Sequence, residues 1–383
     1  MNYKYRIIHI AQCAGGVDCY LRMLLSHMDK NRFEQILICS HDYNEDDYKG
    51  FVDRIIQIDM VNSLSLSADE NAMKIIREFI RELNPDLIYC HSSKAGGLGR
   101  LANIGLGYPI IYNPHGWAFN MRGSRVKRFV YLMIEKLLAH FTTQFVLISN
   151  YEKLSAIKHG VGKECQMKVI FNGIDMDNIK SQLDSSTISR KSLGIPTDAY
   201  VVGMVGRISK QKAPDTFVKM ARKIADKLQN AWFMIVGDGN EREEIESMIA
   251  SYGLSRRFTI TGWVDTPIAY ASLFDQAVLL SRWEGFGLVL AEYMKLGKPI
   301  VATEVNAIPD LVVDYENGLL VNMDNDEQAA KAVLEIHDNQ HLRNKLINNG
   351  NERVNALFEI SRVADEHNRL FIRLINDSGG GKS

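Results

Sequence analysis

Two glutamates, Glu284 and Glu292, stand eight positions apart around a glycine-containing turn. An apolar, strand-like run precedes them, Gly285 and Gly287 allow a tight turn, and a helical pattern begins near Leu288. A turn that enters a helix in this way leaves unpaired backbone N–H groups beside the positive end of the helix dipole. The stretch therefore predicts a phosphate site flanked by two carboxylates that can hold hydroxyl groups.

A basic segment, residues 206–212, follows another strand-like run and precedes a helical one. It contains Arg207, Lys210 and Lys212. Fixed cations after the carboxyl end of a strand suit a diphosphate leaving group, because its negative charge grows as the bond to it breaks. The alternative is a solvated basic turn, which is common.

In their types and order, these segments resemble the signature of the retaining family 4 glycosyltransferases, which have the GT-B fold. The resemblance implies that Glu284 contacts the donor sugar and that Glu292 holds the ribose of the nucleotide. It also implies that Arg207 and Lys212 bind the diphosphate, whereas Lys210 has no counterpart in the family pair.

The resemblance extends to further loops of the chain. His115, in the segment Asn-Pro-His-Gly, corresponds to a family histidine that lies close to the donor sugar. The resemblance implies four catalytic residues, which are His115, Arg207, Lys212 and Glu284. It also implies a set of residues that contact the nucleotide sugar, which are Gly15, Gly16, Arg207, Lys212, Gly237, Val264, Glu284, Gly285, Phe286, Gly287, Leu288 and Glu292.

Each of these features also has a purely structural interpretation. The 284–292 stretch would then be a capped helix with a solvated acid at each end, and the glycines would serve tight turns. A lone histidine is more often a structural partner than a catalytic one, although we prefer a functional role for His115. For His91 two interpretations stay open, since it could line the acceptor site or cap a loop.

The chain alternates strand-like and helix-like segments in two series, joined by a polar segment at 174–197. Such alternation is typical of parallel sheets buried on both faces. We predict an α/β protein of GT-B type, with two Rossmann-like domains facing a central cleft. The predicted acceptor-side domain is 1–178, the nucleotide-sugar-binding domain is 179–360, and a closing helix at 361–378 returns to the first domain.

Length and composition exclude several classes. A chain of 383 residues fits two domains of roughly 150–200 residues. With 45 basic and 46 acidic residues, its net charge of −1 argues against a nucleic-acid-binding protein. Apolar runs are too short for a membrane span. The five cysteines are odd in number and lack a Cys-x-x-Cys pair, which favours reduced thiols and a cytoplasmic location.

The stretch 121–136 combines four cations with an apolar helical run. The cations are Arg122, Arg125, Lys127 and Arg128. One interpretation is peripheral contact with an anionic membrane, at the inner face where a lipid-linked acceptor would be found. The other is a solvated basic turn before a core helix, and we prefer this second interpretation.

Two Asp-x-Asp pairs, Asp175–Asp177 and Asp324–Asp326, have a pattern that can hold a metal bound to a diphosphate. Neither follows a strand in a donor-type loop, and the second pair is typical of a helix N-terminus. Because the basic segment can neutralise the diphosphate instead, we predict no metal and no cofactor. A zinc site from Cys13, Cys19 and His91 is the weaker alternative on spacing.

One loop, residues 302–312, departs from the family pattern. The family has two glycines before its Ile-Pro pair, where this chain has Asn306 and Ala307. We expect the larger residues to narrow this part of the site, which affects the choice of donor sugar more than the fold.

The predicted activity is transfer of a sugar, with retention of configuration, from a nucleotide-diphosphate sugar to a hydroxyl acceptor. We expect a UDP-sugar as donor. We expect a glycan or lipid-linked glycan of surface polysaccharide assembly, such as capsule or O-antigen, as acceptor. The alternatives are a sugar-nucleotide epimerase of related fold and a non-catalytic sugar-nucleotide binding module.

Overall fold

The computed structural model describes residues 4–12, 15–61, 65–121 and 124–379. They form two compact units. One comprises the residues up to Asn172 together with those from Ile360 onward, and the other is Gly173–Glu359. The boundaries predicted from the sequence lie at 178/179 and 360/361.

The first unit contains a seven-stranded parallel sheet. Its strands are β1 Tyr5–Ala11, β2 Phe33–Cys39, β3 Arg54–Gln57, β4 Leu87–His91, β5 Ile110–Asn113, β6 Gln144–Leu147 and β7 Met167–Val169. Its helices are α1 Gly16–Ser26, α2 Leu66–Leu83, α3 Ser93–Ala102, α4 Arg125–Leu138, α5 Asn150–His159 and α14 Ile360–Asp377. The strand order is β3-β2-β1-β4-β5-β6-β7.

Apolar side chains cover both faces of this sheet, as expected for strands that helices bury on each side. The C-terminal helix α14 belongs to one of these layers, because its Val363, Leu370 and Phe371 lie in the same buried cluster as Ile7 and Leu37. The end of the chain is therefore part of the first core.

The second unit contains a six-stranded parallel sheet in the order β10-β9-β8-β11-β12-β13. The strands are β8 Tyr200–Val205, β9 Ala231–Val236, β10 Phe258–Ile260, β11 Gln276–Leu279, β12 Ile300–Thr303 and β13 Leu319–Val321. The helices are α6 Met176–Asp184, α7 Pro214–Ala225, α8 Arg242–Ser251, α9 Pro267–Ala271, α10 Leu288–Lys295, α11 Ile308–Leu311, α12 Asp326–Asp338 and α13 Gln340–Leu357.

The prediction of two parallel-sheet, Rossmann-like units is confirmed. Two strands were not predicted, β3 and β7, which are the two edge strands of the first sheet. Both are short, with half-exposed polar residues such as Gln57 and Lys168. They therefore lack the continuous apolar run that marks a central strand.

Within the described part of the chain, no helix combines the length and the apolarity that crossing a bilayer requires.

Candidate active site

The strand order of the second sheet brings two predicted segments together. Strand β8 is the neighbour of β11, although β9 and β10 lie between them in the chain. The order reverses at this point, and ligands of such sheets bind beyond the carboxyl ends of the strands there. The basic segment follows β8 and the 281–287 turn follows β11, so both start at the switch point.

Lys212 and Glu284 form an ion pair across this switch point. The Lys212 Nζ lies 2.5 Å from Glu284 Oε2, and both side chains are largely buried. Ser281 Oγ donates to the same carboxylate oxygen at 3.1 Å. The carboxylate and the cation are thus held at one place, at the edge of the sheet where ligands of such sheets bind.

Glycines let the basic segment approach the loop after β9. A Cβ on Gly237 would lie 2.2 Å from the carbonyl oxygen of Gly206, and one on Gly239 would lie 2.2 Å from that of Ile208. Backbone hydrogen bonds from Gly206 to Val236 and from Ile208 to Asp238 join the same loops. Gly237 therefore has a packing role here, and its contact with a nucleotide stays a prediction.

Arg282, which the sequence analysis did not single out, ties the two segments together. Its guanidinium donates to both carboxylate oxygens of Asp215, at 2.7 and 2.9 Å, and to Asp324 at 2.6 Å. It also donates to the Lys210 carbonyl at 2.9 Å, and its backbone N–H donates to the Gln211 carbonyl. A fork of this kind fixes two loops in register with each other.

The turn between β11 and α10 has the geometry predicted for it. Gly287 is in the left-handed region, with φ of 87°, and precedes the first helical residue, Leu288. Gly285 is exposed, and a Cβ built on it would contact nothing within 4 Å. Phe286 is buried and packs edge-on against Phe358. The first turn of α10 thus presents N–H groups that have no partner inside the helix. They lie close in sequence to Gly285, which has free space around its Cα.

Glu292 lies on the same helix, just over one turn after its first residue, Leu288. Burial raises the pKa of its carboxyl to about 7, against the opposing effect of nearby Lys212. Among the described residues, none forms a side-chain hydrogen bond with Glu292. A carboxyl group with free hydrogen-bonding capacity and a raised pKa is typical of a binding site.

The remaining predicted residues of the second unit lie in the expected loops. Arg207 is exposed in the basic segment and has no ion pair with another described residue. Val264 is half-buried in the loop after β10, beside Trp263, of which 67% is exposed. These positions are compatible with ligand contact, which stays a prediction.

Asn306, in the loop that departs from the family pattern, contacts Glu284. It takes the left-handed conformation, with φ of 47°, which asparagine tolerates. Its Oδ1 accepts the backbone N–H of Glu284 at 3.1 Å. The residue thus helps to hold Glu284, while Ala307 is fully buried. The narrowing of this part of the site by the larger residues stays a prediction.

The predicted residues of the first unit follow its strands. Gly15 and Gly16 are exposed between β1 and α1, and Gly15 has φ of 100°. His115 follows β5 in a left-handed conformation, with φ of 50°, and its backbone N–H donates to Asn113 Oδ1 at 3.0 Å. A non-glycine residue held at positive φ is a strained position of the kind found at functional sites.

His91 is fully buried, so its side chain does not lie open to an acceptor. Its Nδ1 lies 3.1 Å from His115 Nε2, and its Nε2 lies 3.2 Å from His9 Nδ1. His9, which the sequence analysis missed, lies in β1 on the neighbouring strand. The structure therefore joins two predicted histidines and one unpredicted histidine in one buried row.

The Asp-x-Asp pairs have structural roles. Asp175 caps α6 through the Asn178 N–H, and Asp324 accepts from Arg282 and Thr216. The structure has no cluster of three metal-binding side chains in residues 4–12, 15–61, 65–121 and 124–379. Cys13 and Arg122 lie outside these ranges.

Comparison with known proteins places this architecture in a family. Residues 14–178 match the family model described as Glycosyltransferase Family 4. Residues 185–353 match the model described as Glycosyl transferases group 1. The two matches together span most of the chain.

Relatives that align over nearly their whole length are also named as glycosyltransferases. The chain is 26% identical to the UDP-Gal:alpha-D-GlcNAc-diphosphoundecaprenol alpha-1,3-galactosyltransferase of Escherichia coli, over 97% of this chain and 98% of that protein. It is 25% identical to the capsular polysaccharide biosynthesis glycosyltransferase CapM of Staphylococcus aureus, over 98% and 99%.

A solved structure shares the fold. The crystal structure of Anabaena Alr3699/HepE in complex with UDP has a TM-score of 0.80 and 21% sequence identity, over 96% of this chain and 100% of that one. The family matches, the relatives and the fold agree with the resemblance that the motifs predict. The chain therefore belongs to the family 4 glycosyltransferases and has the GT-B fold.

Proposed function

We propose that the protein transfers a sugar, with retention of configuration, from a UDP-sugar to a hydroxyl of a lipid-linked glycan in surface polysaccharide assembly. Support for the donor comes from the names of the Escherichia coli relative and the Anabaena complex, which both include UDP. Support for the acceptor comes from the name of the Escherichia coli relative, which includes diphosphoundecaprenol, and from the name of CapM, which includes capsular polysaccharide biosynthesis.

The proposal rests on one observation above all, the Lys212–Glu284 pair at the switch point of the second sheet. A diphosphate bound beside the start of α10 would compete with Glu284 for the Lys212 ammonium. Glu284 would then be free to accept a hydroxyl of the donor sugar, while Lys212 and Arg207 stabilise the departing diphosphate.

We propose that the acceptor hydroxyl attacks from the face that the diphosphate leaves, and that a donor phosphate oxygen takes its proton. This route needs no carboxylate base. Glu284 and His115 orient the sugar, and Glu292 holds the ribose.

We also propose that the reaction is metal-independent, because two cations are available to the diphosphate. Addition of EDTA should leave the transfer rate unchanged. A rate that collapses in EDTA and returns with Mg²⁺ or Mn²⁺ would contradict this part of the proposal.

The test is a panel of UDP-sugars, first for thermal stabilisation and then for UDP release with and without an undecaprenyl-diphosphate-linked sugar. Transfer predicts UDP release that depends on the acceptor, above slow donor hydrolysis. An epimerase would convert the donor sugar without any acceptor. A binding module would be stabilised by the donor and release no UDP.

Two variants make this test specific. Glu284→Gln removes the carboxylate that we assign to the donor sugar and should abolish most of the transfer. Glu244→Gln changes an exposed glutamate on α8 and serves as the matched control, with transfer close to that of the original chain. Equal loss in both variants would argue against the assigned role.

Helix α4 supports peripheral contact with a membrane. We expected its apolar residues to be core residues, but five of them, on one face of the helix, are exposed by 41–71%. They are Val126, Phe129, Val130, Met133 and Leu137. The opposite face packs inward through Leu138 and the buried Glu135. A solvated basic turn before a core helix therefore does not describe this segment.

We propose that this apolar face enters the surface of an anionic bilayer, with the exposed cations Arg125 and Lys127 contacting its headgroups. Phe129→Ser should weaken sedimentation with phosphatidylglycerol vesicles, whereas Met323→Ser, an exposed apolar residue of the second unit, should not. Equal binding of the original chain to anionic and neutral vesicles would contradict the role of the cations.

A further inference from the structure

A row of four hydrogen-bonding side chains crosses the first sheet. Gln35 Oε1 lies 2.7 Å from His9 Nε2, and His9 Nδ1 lies 3.2 Å from His91 Nε2. His91 Nδ1 then lies 3.1 Å from His115 Nε2. Gln35, His9 and His91 are fully or almost fully buried, whereas His115 is half-buried at the end of the row.

The register of the strands produces this row. Gln35 on β2 is level with Ile7 on β1, two residues before His9. His9 is level with Tyr89 on β4, two residues before His91. His91 is in turn level with Asn113 on β5, two residues before His115. Because residues two apart share a face of a strand, Gln35, His9 and His91 lie on one face and advance toward the carboxyl ends. His115 continues the row from the loop just after β5, through its contact with His91.

All three imidazoles are neutral near pH 7. Burial lowers the pKa of His9 to about 4 and that of His115 to about 3. Burial and the neighbouring histidines lower the pKa of His91 well below its usual value. A neutral imidazole has one N–H donor and one nitrogen acceptor, so the tautomers of the three rings depend on each other.

The amide of Gln35 sets the direction of the row. Its Oε1 can only accept, so His9 carries its proton on Nε2 and has an unprotonated Nδ1. His91 must then donate from Nε2 to His9, and His115 must donate from Nε2 to His91. This leaves Nδ1 of His115 as an acceptor. Rotation of the Gln35 amide, whose buried Nε2 has no hydrogen-bond partner among the described residues, would reverse all three protons.

We propose that Gln35, His9 and His91 are positioning residues that fix the tautomer of His115, so that its Nδ1 accepts a hydrogen bond from a hydroxyl of the sugar substrate. This inference rests on the proposed function for the hydroxyl. The coupling of the tautomers follows from the hydrogen-bonded row itself.

Other contacts hold the ring of His115 in place. Its backbone N–H is bound by Asn113, and Tyr20 packs against its ring edge-on, with centroids 4.7 Å apart. A change at Gln35, two imidazoles away, therefore leaves these contacts in place. What it changes is the nitrogen that carries the proton.

The experiment uses the full chain labelled with ¹⁵N-histidine, because ¹⁵N chemical shifts distinguish protonated from unprotonated ring nitrogens. His115→Gln identifies the His115 signals among those of the ten histidines. In the original chain we expect the Nε2–H tautomer at His115. In Gln35→Leu, or Gln35→Met if the first does not fold, we expect both tautomers.

The matched control is His367→Asn. His367 is buried in the same unit and contacts the hydroxyls of Tyr20 and Tyr89, but it is not part of the row. The tautomer of His115 should be unchanged in this variant.

Turnover gives a second measurement. Loss of one well-placed hydrogen bond should lower kcat about tenfold in the Gln35 variant, with the Kd of UDP unchanged. An Nδ1–H tautomer at His115 in the original chain, or a folded Gln35 variant with an unchanged tautomer, would overturn the inference. Absence of sugar transfer by the original chain would instead overturn the proposed function, since the spectra do not depend on turnover.

Discussion

At the scale of single residues, Lys212 is the most informative side chain of the site. It neutralises Glu284 at 2.5 Å in a largely buried position. In the proposed reaction, the donor diphosphate must therefore compete for a cation that already has a partner. Such an exchange favours the state in which the diphosphate has its greatest charge, which is the state formed as the sugar leaves.

We expect Lys212→Ala to lower kcat by roughly 10²–10³-fold, the effect of removing one donor that stabilises a developing anion. The Kd of UDP, measured by calorimetry, should change less than kcat. Lys210→Ala is the matched control, because its side chain is exposed in the same segment and has no counterpart in the family pair. Equal losses in the two variants would show that only the general charge of the segment matters.

The proposed contact of Glu292 with the ribose predicts that ribose binding depends on pH. With its pKa raised to about 7, the carboxyl is mostly protonated at pH 6 and mostly ionised at pH 8. An ionised carboxylate accepts hydrogen bonds from both ribose hydroxyls, and such bonds are stronger than neutral ones. We expect uridine, which has no phosphate to titrate, to bind more tightly at pH 8 than at pH 6.

Glu292→Gln should remove this pH dependence, because its amide does not titrate in this range. The same raised pKa has the opposite effect on the stability of the fold, which it lowers as pH rises, whereas ribose binding becomes tighter. The folded state holds its proton more tightly than the unfolded state does, so this contribution to stability is lost as pH rises from 4.5 through 7. Uridine affinity that varies equally with pH in both proteins would exclude Glu292 as the titrating group.

Glu284 and Lys212 could be singled out from the sequence, because both lie within short motifs that follow strands, and the structure pairs them. Their roles toward a ligand stay predictions. The sequence was not sufficient for Arg282, whose partners Asp215 and Asp324 are distant along the chain. The row that ends at His115 was missed for the same reason. Its members are joined by strand register, which no local pattern contains.

At the scale of secondary structure elements, α3 shows how closely a helix can pack on a sheet. A Cβ on Gly96 would lie 2.2 Å from Tyr112 Cε2, whereas one on the adjacent Gly97 would meet only Leu138, at 3.9 Å. Both glycines are inside the helix. They differ only in the face on which they lie.

We therefore expect opposite effects from the same substitution. Gly96→Ala should reduce the free energy of unfolding by about 1–3 kcal/mol, because the buried ring of Tyr112 must move. Gly97→Ala should increase it by up to about 1 kcal/mol through better helix propensity. Urea denaturation midpoints would measure both. Similar changes in the two variants would show that helix propensity, and not the contact with the sheet, governs this helix.

The central strands of both sheets could be predicted because they are continuous apolar runs buried on both faces. Strands β3 and β7 could not, since polar residues such as Gln57 and Lys168 break their short apolar runs. The exposed face of α4 was misinterpreted for a related reason. Helical periodicity locates an apolar stripe, but it does not say whether the stripe faces a core or the solvent.

At the scale of the whole molecule, the chain length predicted two units, and the return of α14 to the first unit followed from the family resemblance. The structure gives the physical reason for the return in the side chain of Phe371. This ring is fully buried and meets Phe33 and Tyr89 edge-on, at centroid distances of 5.8 and 5.7 Å. The first core thus includes residues from both ends of the chain.

Phe371→Ala should consequently destabilise the first unit, by about 3–5 kcal/mol if the cavity does not collapse. Amide hydrogen exchange should become faster in β1, β2 and β4, while β8 and β9 keep their protection. Phe358→Ala is the reciprocal control, because Phe358 is fully buried against Phe286 in the second unit. It should speed exchange in the second unit and leave β1, β2 and β4 protected. If either variant accelerated exchange equally in both sheets, the two cores would unfold as one cooperative body, and the division at Glu359 and Ile360 would have no thermodynamic meaning.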